Sequence, residues 1–127
     1  MLMEKIDLER TEDTPKVLLD AENRLFEIEG RSLPENAVEF YMPIINWLKE
    51  YSELQNNNIV FNFKLEYFNT ASAKQITKLL IVLQQLSENM DIKINWHYYR
   101  DDADIMSSGM RFAKLIKANI DLVPYDD

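Results

Sequence analysis

The chain has 127 residues, 14 of them Lys or Arg against 22 Asp or Glu, for a formal net charge of −8; that length suits a single domain over 1–127, and with its basic residues scattered so acidic a chain is not expected to bind nucleic acid. It contains no cysteine, which excludes a disulfide framework, a cysteine nucleophile and a thiolate metal site. No apolar run approaches the ~20 residues of a membrane span, and the charged stretch 1–13 lacks a signal peptide's apolar core, so no membrane insertion and a cytoplasmic location are expected.

Residues 1–14 are polar and mixed, an extended arm or a frayed edge. Lys16 to Leu19 and Leu25 to Glu29 read as short strands joined by the turn-rich Asp20-Ala21-Glu22-Asn23, a hairpin that Gly30 ends. Ser32-Leu33-Pro34-Glu35 has the form of a capping box, with Pro tolerated in the first turn, and is expected to open the first helix. Its apolar stripe is Val38, Tyr41, Ile44, Ile45, Leu48 and Tyr51. Trp47 lies off that stripe and is a candidate exposed anchor for a partner, since exposed aromatics are enriched at binding hot spots. Pro43 removes a hydrogen bond and clashes one turn back at a cost of ~3 kcal/mol or more, which predicts a kink near 39–43 or a break into two helices. Asn56-Asn57-Asn58 is a loop.

From Ile59 to Tyr67 the chain alternates, with Phe61, Phe63, Leu65 and Tyr67 on one side and Asn62, Lys64 and Glu66 on the other, a strand buried on one face. The period then changes. Ile76, Leu79, Leu80, Leu83 and Leu86 form the stripe of a helix that starts at 69–71, where Asn69 and Thr70 both suit an N-cap, and Ser87-Glu88-Asn89 closes it. Ile92, Ile94, Trp96 and Tyr98 alternate with Lys93, Asn95, His97 and Tyr99 in another one-sided strand. Asp101-Asp102 caps a third helix with Ile105, Met106, Gly109, Phe112, Ala113 and Ile116 facing inward. Gly109 there costs about 1 kcal/mol against Ala, which close packing on the sheet would explain. Ile120 to Val123 is a final short strand, and 124–127 a tail.

The order is β-β-α-β-α-β-α(-β). Strand–helix–strand units imply right-handed crossovers, and the polar face of both inner strands places all helices on one side of a mixed sheet, in a two-layer α/β sandwich.

Little here is equipped for catalysis. His97 is the lone histidine, on a polar strand face without evident triad partners. Asp101, Asp102 and Asp104 miss the spacing of a calcium loop and suit a helix's first turn instead. No glycine-rich phosphate loop exists, so no cofactor, no metal and no enzymatic activity are expected. The strand-to-helix corner is the exception. A helix N-terminus offers unpaired N–H donors and partial positive charge, a favourable place for a phosphate on Thr70. Asn69, Thr70, Ala71, Ser72, Lys74 and the distant Trp47 are the candidate partner-binding residues, with Ser72 the rival phosphorylation site. By the residues alone, Asn-Thr reads first as an ordinary helix cap.

Several stretches resemble the SiaC family of regulatory phosphoproteins: Phe40-Tyr41-Met42-Pro43-Ile44-Ile45-Asn46-Trp47-Leu48-Lys49-Glu50-Tyr51, then Leu65-Glu66-Tyr67-Phe68-Asn69-Thr70-Ala71-Ser72-Ala73-Lys74, then Trp96-His97-Tyr98-Tyr99-Arg100-Asp101-Asp102 with Met106 and Gly109. Glu29 to Glu35 fits as well, so the resemblance spans about residues 25–115. It implies a STAS-like fold and phosphorylation of Thr70 by a cognate kinase with a histidine-kinase-type ATPase fold. It further implies a PP2C-type phosphatase, and an unphosphorylated form that binds and activates a target, in the best-known system a diguanylate cyclase, raising cyclic di-GMP and promoting biofilm. The family often has serines where Ala71 and Ala73 stand, which leaves fewer competing hydroxyls beside Thr70. Two other readings stay open: a small anionic-ligand module or enzyme using Thr70 and Ser72, and a structural subunit whose acidic surface docks a basic partner.

Overall fold

A computed structural model describes residues 3–54 and 58–126; Asn56 and Asn57 of the expected loop lie outside them. In chain order the elements are β1 (Ile6–Leu8), β2 (Lys16–Asp20), β3 (Leu25–Ser32), α1 (Ala37–Tyr51), β4 (Ile59–Phe68), α2 (Thr70–Leu86), β5 (Ile92–Tyr99), α3 (Ala103–Leu115) and β6 (Asn119–Tyr125). They build a six-stranded sheet of order β1-β2-β3-β4-β5-β6. β1, β2 and β3 pair antiparallel, and β3 to β6 pair parallel. Each right-handed crossover steps to the next strand in the same direction, so α1, α2 and α3 fall on one face. Burial agrees: Phe61, Phe63 and Leu65 are enclosed while Asn62, Lys64 and Glu66 on the opposite face stay partly open. The core between the layers is rich in aromatic rings, with Trp96 touching Phe63, Phe68 and Phe112.

Gly109 behaves as expected. A Cβ there would collide with the Trp96 ring and stand 2.7 Å from Leu122 Cδ2, so its absence lets α3 lie close on β5 and β6.

The structure corrects several local expectations. The N-terminal arm contains a strand, β1, whose Ile6 pairs Leu19 and whose Leu8 pairs Val17. Gly30 does not end β3. The strand runs through it with φ at +118°, a conformation L side chains rarely adopt, and the register to β4 shifts between Gly30 and Arg31. The Ser32-to-Glu35 motif is no capping box, because Ser32 is the last residue of β3; Asn36 caps α1 instead, accepting from the Glu39 N–H at 3.1 Å. Val38, assigned to the inward stripe, is 46% exposed. Pro43 does not split the helix: α1 is one element, and both Pro43 and Glu39, whose carbonyl loses its partner, lie on the exposed side. β6 continues beyond Val123 to Tyr125, with Pro124 tolerated because the strand is at the sheet edge.

Candidate functional site

The corner between β4 and α2 is built by Asn69 and braced from the neighbouring strand. Asn69 has extended backbone and caps α2 through Oδ1, which accepts from the Ser72 N–H at 2.9 Å. Its own N–H donates to the Ser32 carbonyl at 3.1 Å, and its carbonyl accepts from the Ala73 N–H at 2.9 Å. Ser32 also donates from Oγ to Ser72 Oγ at 2.9 Å. With its one proton committed there, Ser32 Oγ accepts from the Tyr41 hydroxyl at 2.6 Å. Burial pushes the Tyr41 phenol up to about 12, against the smaller opposing pull of its Ser32 bond, so it stays a donor. A chain of buried hydroxyls thus ties α1, β3 and the first turn of α2 together.

Thr70 is the first residue of α2 and is exposed; its hydroxyl makes no hydrogen bond among the described residues. Ala71 and Lys74 are exposed beside it, and Asn69 is half-buried. Two expected site residues are not at this surface. Ser72 is 0% exposed, held in the hydroxyl chain, so as folded it is neither a rival acceptor nor a binding group. Trp47 is 6% exposed, not an outward anchor. It stacks on Tyr51 at 5.4 Å, meets Phe26 edge-on at 6.0 Å, and donates from Nε1 to the Glu4 carbonyl at 2.8 Å. The buried stripe of α1 runs Ile44-Trp47-Leu48-Tyr51, and just before β1 Met3 packs against the core while the Glu4 carbonyl meets the Trp47 ring.

A groove of about 290 Å³ separates the start of α2 from α3. Tyr67, Thr70 and Ala73 line one wall, Asp104, Ile105, Ser108 and Arg111 the other. Arg111 is exposed and donates to Ser108 Oγ at 3.2 Å. Near the corner, Arg31 lies over the Tyr67 ring at 5.1 Å, and Arg10 pairs Glu66 at 2.5 Å, holding that carboxylate below its usual range.

The other sequence candidates have structural partners. Asp102 caps α3, accepting from the Ile105 N–H at 3.0 Å. Among the described residues no group of three or more His, Asp or Glu is placed to hold a metal ion, and no helix is long and apolar enough to cross a membrane. His97 faces away from the helices. Asn62 Oδ1 accepts from Asn95 Nδ2 at 3.1 Å and lies 2.9 Å from His97 Nε2. An amide oxygen only accepts, so the neutral ring carries its proton on Nε2. Burial pushes this imidazole below its ordinary value, Lys64 adds to the effect and Glu27 opposes it.

Sequence reasoning missed Ser32, Tyr41 and Arg111 as parts of the site. Ser32 carried a misleading local pattern, Tyr41 read as plain core, and nothing local marks Arg111.

A family model for the SiaC family regulatory phosphoprotein matches residues 8–125. An uncharacterised protein of Pseudomonas aeruginosa (strain UCBPP-PA14) is 25% identical over 99 residues, 77% of this chain and 79% of that one. Apo-SiaC from Pseudomonas aeruginosa superimposes with a TM-score of 0.87 at 21% identity, covering 95% of this chain and 99% of that chain. The structure of diguanylate cyclase SiaD in complex with its activator SiaC from Pseudomonas aeruginosa gives a TM-score of 0.89 at 21% identity, with 94% and 99% covered. The shared fold is the mixed six-stranded sheet with three helices described above.

Proposed function

The chain belongs to the SiaC family of regulatory phosphoproteins, and from that premise we propose that it is a non-enzymatic partner switch whose state is written on Thr70. A cognate kinase with a histidine-kinase-type ATPase fold transfers the γ-phosphoryl group of ATP to Thr70 Oγ1; the hydroxyl proton leaves and ADP departs. A PP2C-type phosphatase hydrolyses the ester. The unphosphorylated form docks on and activates its target, a diguanylate cyclase, as the SiaC of the solved SiaD complex is that enzyme's activator. The output is then cyclic di-GMP and biofilm control, and the protein works in the cytoplasm.

The observation that carries this reading is the exposed Thr70 hydroxyl, without a hydrogen bond among the described residues, on a braced corner. Phosphorylation adds close to two negative charges and needs no change of fold to act: a dianion set into an interface disrupts it where the partner presents apolar or acidic groups. A loss of ~3 kcal/mol in binding is roughly 150-fold in affinity, enough for a switch. The anionic-ligand alternative relied on two hydroxyls, and the burial of Ser72 removes one of them.

Incubation with the cognate kinase and ATP raises the intact mass by one phosphate, about 80 Da, and Thr70→Ala abolishes the rise. Equal modification of the alanine variant refutes the assignment. In co-purification, unphosphorylated wild type retains the cyclase and the phosphorylated protein releases it.

A further inference from the structure

Thr70 and Arg111 both line the α2–α3 groove, each from its own helix. Both are exposed. Among the described residues no carboxylate pairs with Arg111, whose one hydrogen bond is the 3.2 Å contact to Ser108. Arg10 is bound to Glu66, Arg100 to Asp126, and Lys16 and Lys64 to Glu27. The groove therefore holds the exposed Thr70 hydroxyl on its α2 side and, on its α3 side, a guanidinium without a counter-ion among the described residues.

We propose that Arg111 receives the phosphate of phosphorylated Thr70 within the same chain. The planar guanidinium fork matches two phosphate oxygens bidentately, a pairing that a lysine's point charge cannot reproduce. Ser108 holds the side chain on the groove wall by a bond long enough to be exchanged for a charge-assisted one. Asp104 lines the same wall and repels a phosphate, so Arg111 acts against it. Lys74, one turn along α2 and exposed, is a rival cation, and Arg31, held over the Tyr67 ring at 5.1 Å, is another; neither lines the groove. The inference rests on Thr70 being the phosphorylated residue and adds what becomes of the new charge. Phosphorylation then alters the surface twice: a dianion appears at Thr70, and Arg111 is withdrawn from any carboxylate a partner would offer it.

The test installs phosphothreonine at position 70 of the full chain by codon suppression, so no kinase is involved, and follows the phosphorus-31 resonance between about pH 4 and pH 8, spanning the second ionisation near 6. The wild-type midpoint is expected about half a pH unit or more below that of Arg111→Gln, because an adjacent cation favours the dianion, with Arg111→Lys between them. Coincident midpoints for wild type and Arg111→Gln overturn the proposal. So does a midpoint moved by Lys74→Gln alone, which would give the phosphate to the lysine of α2. Arg111 is exposed, and a matching thermal melt of unphosphorylated Arg111→Gln checks that the fold is retained. A kinase that ignores Thr70 would sink the proposed function without touching this contact; a modified Thr70 with coincident midpoints would sink the contact alone.

Discussion

Gly109→Ala separates two opposed forces on α3. Helix propensity alone favours alanine over glycine by about 1 kcal/mol. The new methyl, however, would meet the Trp96 ring and stand 2.7 Å from Leu122 Cδ2. Trp96 cannot yield cheaply. It is 1% exposed, its Nε1 donates to the Ile105 carbonyl at 2.9 Å, and its ring lies against Phe63, Phe68 and Phe112. Overpacking a tight core costs about 1–3 kcal/mol, and a clash with an immobilised ring belongs at or above the top of that range. The net expectation is a loss of about 2 kcal/mol. At about 2.1 cal/mol/K of unfolding entropy per residue, a chain of this length should melt about 7 °C lower. Calorimetry of the two proteins at one pH reads this directly. An equal or higher melting temperature for Gly109→Ala would refute the reasoning, because it would mean that α3 stands off the sheet.

Tyr41→Phe deletes the donor that Ser32 Oγ accepts at 2.6 Å in a fully buried site; a loss of about 1–2 kcal/mol is expected, read as a lower urea midpoint at unchanged slope. An unchanged midpoint would show that the hydroxyl chain is not coupled as drawn. His97 sets a pH dependence of defined sign. Its folded value lies below the free 6.5, so the unfolded chain takes up the proton first. The contribution is fully present above about pH 6.5 and is lost as pH falls toward the folded value. Urea midpoints should therefore decline from about pH 7.5 to 5.5, and His97→Gln should flatten that decline; Asp20, Glu27 and Glu66, all lowered from values of 3.8 to 4.5, act below that window.

What could be read from the sequence is what depends on periodicity. β4 and α2 follow from a period-two run of aromatics giving way to an apolar stripe, and the capping asparagine between them needs only local chemistry. Gly109 was legible because a mid-helix glycine in an inward position asks for a close neighbour. The errors cluster where tertiary contacts decide. Ser32 with Glu35 has the spacing of a capping box, yet parallel pairing to β4 carries β3 through Ser32, opposite Phe68, and the helix must wait for Asn36. Trp47 belongs to a buried face of α1 wider than a single stripe, and the Glu4 carbonyl that meets it lies just before the three-residue β1, too short to show a period. Arg111 carries no local signal at all, since its meaning lies in a groove formed by two helices that a strand separates in the chain.

A switch residue has to be reachable, while the backbone that presents it has to stay put, and on a helix these two demands are linked by geometry. At 3.6 residues per turn, positions two apart point about 200° away from each other, so anchoring Ser72 inward turns Thr70 outward. An N-cap by itself is worth about 1 kcal/mol, too little to stop a helix end from fraying. Ser32 supplies the rest from the adjacent strand, holding the Asn69 amide with its carbonyl and Ser72 with its hydroxyl. An apolar residue at 72 would bury as well but would leave the Ser32 hydroxyl, already enclosed, without its acceptor, at about 1–3 kcal/mol. The buried serine is thus read best as the inner half of the same device whose outer half is Thr70: the one fixes the turn so that charge added to the other arrives at a defined place.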